Sequence, residues 1–320
     1  MDNPDFLTAA RAAWKRIMLA MALLMLLPSW LGLLGDWHWL LDLLAHFRWQ
    51  YLGISALVIV WGTWRRQRLV MALAALTFLL NAMLIGQLAW HAGINDRVAA
   101  DFSLRVVSFN LLTSNPEKQR VLDYLLASDA DVICLLEFDR KWQAALAPLE
   151  AKYPHHLEDP LSSNFGIAVY SRTPWAKAGM LDLGDPGLPS IEVALRRQDR
   201  ELVIIATHPV PPAGRRNAAW RDGQLARLAR HVSQLRQPAL VVGDLNATPW
   251  SAGLRIATAS GLGFRSLQPA WTPTWQAGSL FAIPIDHALV TAPLVITRRA
   301  VGPELGSDHR PLVVSVGWGE

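Results

Sequence analysis

Eight polar side chains have the types that metal-assisted hydrolysis requires, and each stands next to an apolar, strand-like segment. They are Asn110, Glu137, His208, Asp244, Asn246, Asp286, Asp308 and His309. Carboxylate and amide oxygens suit a hard cation such as Mg²⁺, and imidazoles hold or transfer protons near neutral pH. We place all eight at the carboxyl ends of strands or in the loops that follow, where neighbouring strand ends meet. The sequence therefore predicts one cleft that combines a metal site with acid–base groups.

Each of these signals is weak when it is taken alone. Asp244 and Asn246 form an Asp-x-Asn pair, which is usually a turn because both side chains cap backbone groups well. Asn246 also begins a glycosylation sequon. Asp286 alone is typical of a strand-end cap, and the dipeptide at 308–309 is typical of the surface. The functional interpretation depends on the complementary roles of the whole set.

Apolar segments of strand length alternate with helical patterns from residue 104 onward. Strand patterns cover residues 104–109, 131–136, 166–170, 191–195, 202–207, 239–242, 285–290 and 312–316. Helical spacing of apolar residues covers 116–128 and 216–235. This alternation predicts an α/β domain built of layered sheets, with the polar set in the loops at one edge.

Three other features have a weaker functional case. His155 and His156 lack an acidic or cysteine partner at metal-ligand spacing, which favours a solvated loop. The predicted helix at 216–235 is basic on its outer face, where its arginines either meet solvent or contact phosphates. The aromatic residues of the loop before residue 286 belong either to the core or to a surface that meets substrate or a bilayer.

The first ninety residues have the pattern of a membrane region. Only six charged side chains occur in residues 17–90. Apolar segments at 17–35, 49–64 and 69–90 approach or reach the length of a membrane span, and tryptophans stand near their ends. A cleaved signal peptide is disfavoured because two more apolar segments follow the first. We predict a transmembrane region at 1–92 with about three helices, a linker at 93–102 and a catalytic domain at 103–320.

Basic residues indicate how the spans are oriented. Two clusters flank them: Arg11, Lys15 and Arg16 before the first, and Arg65, Arg66 and Arg68 between the second and third. The positive-inside rule places both clusters in the cytoplasm. With three spans, the domain after residue 92 lies on the periplasmic or extracytoplasmic face of the inner (cell) membrane. With two spans, it lies on the opposite face.

Composition excludes several classes of protein. The chain is 52% hydrophobic and 18% charged, which excludes a disordered chain. Its single cysteine, Cys134, excludes an intrachain disulfide and a C-x-x-C site. Residues 101–320 contain 22 Lys and Arg against 21 Asp and Glu, so this part is close to neutral. Nucleic-acid binding usually needs a concentrated basic face, which such a balance does not indicate.

Seven short motifs in order resemble the endonuclease/exonuclease/phosphatase superfamily, which has a deoxyribonuclease-like fold. They are VVSFN at 106–110, CLLE at 134–137, the segment 166–172 that ends in YSR, ATH at 206–208, VGDLN at 242–246, IDH at 285–287 and GSDHRP at 306–311. Leu136 and Leu245 replace the family's usual glutamine and phenylalanine, and neither change removes a catalytic group. The resemblance implies a four-layer α/β/β/α domain, a two-layer β-sandwich flanked by helices, preceded here by transmembrane helices.

The resemblance also implies a metal site. Glu137 would be the principal ligand of Mg²⁺ or Mn²⁺. Asn110 would lie beside it and orient water or phosphate, and Asp308 would be a further ligand or part of a second metal site.

The remaining five residues would carry the catalytic roles of the family. Asp244 would position the attacking water and help to deprotonate it, and Asn246 would hold a phosphate oxygen. His309 would contact the scissile phosphate, with Asp286 fixing its ring. His208 would stabilise charge on the phosphoryl oxygens or the leaving group. These are mainly positioning and electrostatic tasks, as phosphoryl transfer requires. The residues do not decide whether Asp244 or His309 takes the proton of the water.

Together these inferences predict a membrane-anchored, metal-dependent phosphoesterase that works by attack of a metal-activated water. Its substrate would be a phosphodiester or phosphomonoester, such as a lipid head group or a small phosphoester, and no obligate protein partner is evident. Two alternatives stay open: a nuclease acting on DNA or RNA, and a non-catalytic membrane scaffold on the same fold. Fold kinship alone does not choose among them.

Overall fold

A computed structural model describes residues 4–92, 102–197, 199–258, 261–263, 266 and 270–319. Within it the chain divides into two compact units, with the division between Gln87 and Leu88. Most of the predicted linker, residues 93–101, lies outside the described residues.

The first unit is entirely helical where it is described. Its helices are α1 (Pro4–Leu31), α2 (Trp39–Ala45), α3 (Arg48–Trp64) and α4 (Arg68–Ala92), and α1 leads into a short 3-10 turn at Gly32–Leu34. Two segments, Ala12–Leu34 and Arg68–Leu88, are long and apolar enough to cross a membrane. The α2–α3 pair passes the same test only as one segment bent by 65°, so the unit contains two candidate spans, or three with this pair.

Polar side chains inside the first unit connect its helices. The guanidinium of Arg48, at the start of α3, donates to the carbonyl of Ser29 near the end of α1 at 2.7 Å. The side-chain amide of Asn81 in α4 donates to the Ser29 hydroxyl at 2.8 Å, and the Trp30 indole donates to the hydroxyl of Thr77 at 2.9 Å. Because polar groups buried among apolar helices need partners, these bonds fix which helix faces meet.

The second unit is a two-sheet sandwich with helices on both outer faces, which confirms the predicted fold class. Its described strands are β1 (Leu104–Asn110), β2 (Val132–Leu136), β3 (His155–Asp159), β4 (Ile167–Ser171), β5 (Trp175–Asp182), β6 (Pro189–Arg197), β7 (Arg200–Thr207), β8 (Ala239–Asp244), β9 (Asp286–Val290), β10 (Leu294–Val301) and β11 (Leu312–Trp318). One sheet has the order β10-β11-β1-β2-β4-β3 and the other β5-β6-β7-β8-β9.

Three apolar layers hold the sandwich together. The inner faces of both sheets form one buried cluster that includes Val106, Ile204 and Val314. Helices α5 (Lys118–Ala127) and α6 (Arg140–Leu146) cover the outer face of the first sheet. Helices α7 (Arg215–Gln234) and α8 (Ala252–Thr258) cover the second sheet in the same way. The order of layers is therefore helix, sheet, sheet, helix.

Strand direction explains how the polar set reaches one edge. β1 is parallel to β2, and β7 is parallel to β8, so the carboxyl ends of each pair point the same way. β9 and β11 run antiparallel to β8 and β1. The placement of every polar residue at or after the end of a strand is therefore wrong for Asp286 only, because residues 308–309 lie in the loop that follows β10. Asp286 is the first residue of β9, and residues 308–309 precede β11.

Several elements differ from the sequence-based expectation. The predicted solvated loop at His155 and His156 is wrong, because both residues belong to β3, an edge strand. Strands β5 and β10 and helices α6 and α8 were not predicted at all. The edge strand β5 exposes alternate residues to solvent and lacks a continuous apolar run, so its sequence signal is weak.

Candidate active site

Asn110 connects the two sheets at the edge where the polar set converges. It ends β1, and its side-chain amide donates to Glu137 Oε1 and to Asp244 Oδ2, both at 3.2 Å. Its own Oδ1 accepts the backbone N–H of Leu112 at 3.1 Å, which fixes the orientation of the amide. One buried side chain thus brings a carboxylate of the first sheet and a carboxylate of the second to the same place.

Glu137 follows β2 in a left-handed backbone conformation, with φ of 55°. Its Oε2 accepts the backbone N–H of Thr113 at 3.1 Å, and its side chain is buried. Among the residues that the structure describes, Glu137 forms no ion pair. A buried carboxylate without a cationic side chain is costly. A divalent cation would supply the missing charge, so Glu137 fits Mg²⁺, which needs only one or two carboxylates from the protein.

Asp244 ends β8 between two imidazoles. Its Oδ2 lies 3.4 Å from His208 Nε2 and 3.5 Å from His309 Nε2, and its Oδ1 accepts the backbone N–H of Asn246 at 2.9 Å. Burial raises the pKa of Asp244, but the facing His309 and His208 lower it to about 2. The side chain is therefore a carboxylate throughout the neutral range.

His309 is held between two carboxylates. Its Nδ1 lies 2.8 Å from Asp286 Oδ2, on the side of the ring opposite to Asp244. Burial lowers the pKa of His309, but Asp286 and Asp244 raise it to about 10. Without a metal the ring is an imidazolium that both carboxylates orient.

His208 follows β7 and is buried beside Asp244. Its ring centroid lies 5.3 Å from that of Phe165. Its Nδ1 is buried and has no hydrogen-bond partner among the described residues. Nε2 of the ring therefore faces Asp244, and Nδ1 has no fixed partner among the described residues.

Asn246 is next to the cluster, but its side chain has another partner. It has a left-handed backbone with φ of 49°, and its Nδ2 donates to the carbonyl of Pro209 at 2.9 Å. Its backbone carbonyl accepts from the buried guanidinium of Arg221 at 3.1 Å. One hydrogen of the amide is still available to donate to a phosphate oxygen.

Asp308 is separate from the other two predicted metal ligands. Its Oδ2 accepts the Trp275 indole N–H at 2.9 Å, and its Oδ1 is buried without a hydrogen-bond partner in the described part of the chain. The structure gives no contact between Asp308 and Glu137 or Asn110. An orphaned carboxylate oxygen fits either a second cation or an ordered water.

Two groups of side chains have carboxylate or imidazole atoms close enough to share an ion. In the first, ligand atoms of Asp244, Asp286 and His309 lie within 4.8 Å of one another, and all three residues are buried. The second contains Glu150, His156 and Glu158 and is partly exposed. The two oxygens of Glu158 already accept hydrogen bonds from Gln143 and Tyr170, so this second group is weak.

Sequence reasoning did not find several residues that hold the site. Thr113, Trp275 and Arg221 form hydrogen bonds with Glu137, Asp308 and Asn246 that no sequence spacing reveals. Ser307 stands inside the GSDHRP motif: its hydroxyl donates to the carbonyl of Asn110 at 2.8 Å and accepts the N–H of His309 at 3.0 Å.

Three comparisons place this geometry among known proteins. A profile of the Endonuclease/Exonuclease/phosphatase family matches residues 107–309. No curated protein sequence matches the chain. Solved structures of the same fold match with low sequence identity.

One similar structure is TDP2 of D. rerio with a single strand DNA product, at 13% identity and a TM-score of 0.57 over 68% of this chain and 99% of that one. A second is an endonuclease/exonuclease/phosphatase of Beutenbergia cavernae, at 21% identity and a TM-score of 0.56 over 68% of this chain and 72% of that one. A third is sphingomyelinase C of Streptomyces griseocarneus, at 16% identity and a TM-score of 0.51 over 68% of this chain and 100% of that one. At these identities the likeness shows the fold.

The family profile begins in β1, ends at His309 and spans more than half of the 320 residues. Enzymes of this family use divalent metal ions, and the described residues include acidic and imidazole groups that could hold one. The chain is therefore a member of the endonuclease/exonuclease/phosphatase family and a hydrolase of ester bonds.

Proposed function

We propose that this protein is a membrane-anchored, Mg²⁺-dependent phosphoesterase whose substrate is a lipid head group or a small phosphoester. The observation that carries the proposal is the hydrogen-bonded connection from Glu137 through Asn110 to Asp244. It joins a carboxylate suited to a cation with a carboxylate flanked by two imidazoles. A phosphoester between them would meet charge-stabilising and proton-accepting groups at once.

Glu137 would hold the cation, Asn110 would lie beside it and orient water or phosphate, and Asp308 would be a further ligand or part of a second metal site. When bound, Mg²⁺ supplies Lewis-acid stabilisation of the negative charge on the phosphoryl group. A single protein carboxylate leaves room for the waters that Mg²⁺ usually retains and for phosphate oxygens of the substrate.

The protein's own side chains would carry the proton and the charge. Water attacks phosphorus, a new P–O bond forms and the bond to the leaving oxygen breaks. Asp244 takes the proton of the water, since it is ionised while His309 already carries a proton. His309, oriented by Asp286, stabilises the phosphoryl oxygens, and His208 stabilises charge on the leaving oxygen. Asn246 would hold a phosphate oxygen with its remaining amide hydrogen.

An exposed apolar tip beside the site supports an amphiphilic substrate. Residues 275–283 form a hairpin, with a bridge between Trp275 and Ile283, and its tip carries Leu280 and Phe281, which are 86% and 66% exposed. The hairpin is tied to the site through the Trp275 contact with Asp308. The similar sphingomyelinase C fits the same substrate class.

A nuclease is the second candidate, because TDP2 of D. rerio was solved with a single strand DNA product. The basic helix α7 offers fewer free arginines than its sequence indicates. Arg221 is buried against Asp222 and Asn246, and Arg227 donates to the carbonyls of Leu183 and Asp185. A non-catalytic scaffold is the third candidate, but every side chain of the predicted set is present.

We further propose three membrane spans, with the catalytic unit on the extracytoplasmic face of an inner (cell) membrane. The bond from Arg48 to Ser29 places the start of α3 next to the end of α1. The end of α3 and its basic loop, residues 65–68, therefore lie on the side where α1 begins. The positive-inside rule makes that side cytoplasmic, and α4 then crosses to the other face.

The substrate class is tested with the full chain in nanodiscs. Hydrolysis of phospholipid, a soluble phosphodiester, a soluble phosphomonoester and single-stranded DNA would be measured with Mg²⁺ and with a chelator. We expect Mg²⁺-dependent turnover of lipid or of a small phosphoester. This turnover should disappear in His309→Ala and persist in Arg230→Gln, a control at an exposed residue. Turnover of DNA alone, falling steeply with salt, would favour the nuclease instead.

A further inference from the structure

Two arginines lie on the outer face of the first sheet, on the two strands that flank β11 and away from the candidate active site. In the register of β10, β11 and β1, Arg298 pairs with Ser315, and Ser315 pairs with Arg105. Side chains alternate along a strand. Because Leu104 and Val316 point into the layer between the sheets, the three residues share the opposite, outer face.

These residues line a concave site rather than a flat surface. A cavity of about 170 Å³ is bounded by Arg105, Arg298 and Ser315 together with Tyr124 of α5 and the segment around Gly302. A side chain at position 302 would come within 2.7 Å of the Tyr124 hydroxyl, so the glycine lets that hydroxyl approach. Its polar lining residues are two arginines, a serine and a tyrosine, whose side chains offer mainly hydrogen-bond donors, and the rest of its lining is apolar.

Neither guanidinium group has a carboxylate of the described residues within salt-bridge distance. Within the described part of the chain, neither Arg105 nor Arg298 forms an ion pair, whereas Arg120, Arg172 and Arg197 each pair with a carboxylate. The Nε atom of Arg105 is buried without a hydrogen-bond partner. The carboxylate nearest to Arg105 in the hydrogen-bond network is that of Asp131, which accepts the backbone N–H of Arg105 and pairs with Arg197.

Arg105 and Arg298 stand on the two strands that flank β11, and their like charges repel each other. A buried guanidinium N–H without an acceptor is also costly. Both costs are removed by an anion between the two side chains. Arginine is suited to this task, because its planar fork matches phosphate oxygens with two parallel hydrogen bonds.

We propose that Arg105 and Arg298, with Ser315 and Tyr124, form a binding site for a phosphate group. The site is distinct from the catalytic cleft: Arg105 precedes Asn110 by five positions on β1, which is about 16 Å along the strand. The phosphate belongs either to an anionic lipid head group or to a soluble phosphate compound. A phosphate bound at this site would hold the second unit to the molecule that carries it, without taking part in catalysis.

The test uses sulfate as a tetrahedral dianion that is not a reaction product, with the full chain in neutral detergent and with a chelator present. Isothermal titration would compare wild type, Arg105→Gln, Arg298→Gln and the control Arg230→Gln, an exposed arginine of α7. Each of the first two changes is expected to weaken sulfate binding about tenfold, because each removes one charge-assisted contact. The control is expected to bind sulfate as wild type does.

A further variant, His309→Ala, separates this site from the catalytic cleft. Sulfate binding that persists in His309→Ala and weakens in Arg298→Gln supports the proposal. Equal affinities of Arg298→Gln, Arg105→Gln and Arg230→Gln would overturn it, as would binding that only His309→Ala removes. Arg298 is exposed, so its substitution leaves the fold intact.

The source of the phosphate is distinguished by lipid composition. Sulfate affinity would be measured in nanodiscs of phosphatidylcholine alone and of equal parts phosphatidylcholine and phosphatidylglycerol. A head group that occupies the site lowers the sulfate affinity of wild type in the anionic nanodiscs, and Arg298→Gln abolishes this difference. Equal affinity in both nanodiscs, still dependent on Arg298, assigns the site to a soluble phosphate.

Discussion

The imidazole of His309 lies between Asp286 and Asp244, and this arrangement sets the charge of the site. The two carboxylates raise the pKa of His309, while the imidazoles lower the pKa of Asp244. Each group therefore stabilises the ionised form of its neighbour. The result is a permanent positive charge and a permanent carboxylate placed side by side in a buried cleft.

The substitution Asp286→Asn tests this arrangement. It keeps the shape of the side chain but removes the charge that raises the pKa of His309. The pKa of the ring is therefore expected to fall from about 10, as followed by NMR of isotope-labelled histidine in metal-free protein. Because the asparagine amide does not hold the His309 ring in its charged form as the carboxylate does, kcat is expected to fall about 10²- to 10⁴-fold.

The matched control for Asp286→Asn is Asp199→Asn, at a side chain that is 99% exposed. It should leave both the pKa of His309 and kcat unchanged. An unchanged His309 titration in Asp286→Asn would show that the 2.8 Å contact does not control the ring.

At the residue scale, the sequence indicated the polar groups that cluster at the site better than the residues that hold them. Six of the eight predicted residues form a continuous cluster, because strand-end motifs carry them. Asp308 accepts a hydrogen bond from Trp275, and Asn246 donates one to the carbonyl of Pro209. No spacing in the sequence indicates these partners. Such contacts depend on loops whose paths the sequence does not specify.

At the scale of elements, two glycines allow backbone to approach closely beside the site. A side chain at Gly243, where φ is +147°, would lie 2.0 Å from the carbonyl oxygen of Thr207. A side chain at Gly166 would lie 1.9 Å from the carbonyl oxygen of Phe138. Close packing at Gly243 brings the backbone of β8 against the end of β7. Close packing at Gly166 brings the start of β4 against the turn after Glu137.

Gly243→Ala and Gly166→Ala are each expected to separate these segments and to lower Tm by about 6–12 °C. The control is Gly179→Ala in β5, where nothing lies within 4 Å of the added carbon. Its Tm is expected to stay within about 2 °C of wild type. The Tm of each of the three variants is measured by thermal unfolding of the full chain in detergent. Equal Tm values would show that close backbone approach at Gly243 and Gly166 does not stabilise the fold.

The hairpin at 275–283 is the second element with a testable role. Trp275→Phe removes the indole N–H that holds Asp308 and keeps an aromatic ring in place. If Asp308 helps to bind Mg²⁺, the half-saturating Mg²⁺ concentration should rise about tenfold. The control Trp220→Phe changes a tryptophan of α7 that contacts Arg216 and should have no effect. An unchanged Mg²⁺ requirement in Trp275→Phe would remove Asp308 from the metal site.

The element scale also shows why parts of the fold escaped prediction. Buried central strands such as β1 and β8 are rich in apolar residues and were found from sequence. The direction of β9 and β11 was not found, because an apolar run looks the same in either direction. The pairing partners that set this direction are distant in sequence.

At the scale of the whole molecule, the membrane topology makes a prediction about accessibility. The native Cys134 is buried, and burial raises the pKa of its thiol to about 12, so it should not react. Asp199→Cys in the second unit and Arg66→Cys in the loop after α3 each add one exposed thiol. In right-side-out vesicles, a membrane-impermeant maleimide is expected to label Asp199→Cys before lysis and Arg66→Cys only after lysis. The reverse pattern would contradict three spans with a cytoplasmic N-terminus.

The most direct measurement is hydrolysis of a small chromogenic phosphodiester by the full chain, in wild type and in Glu137→Ala. The small substrate tests the chemistry without the question of lipid or nucleic acid. Wild type is expected to turn over with Mg²⁺ and to stop with a chelator. Glu137→Ala should lose about 10²-fold or more of kcat at any Mg²⁺ concentration, and Glu304→Ala, an exposed glutamate, should not. Turnover that persists in the chelator, or that Glu137→Ala leaves intact, would contradict a metal-dependent phosphoesterase at this site.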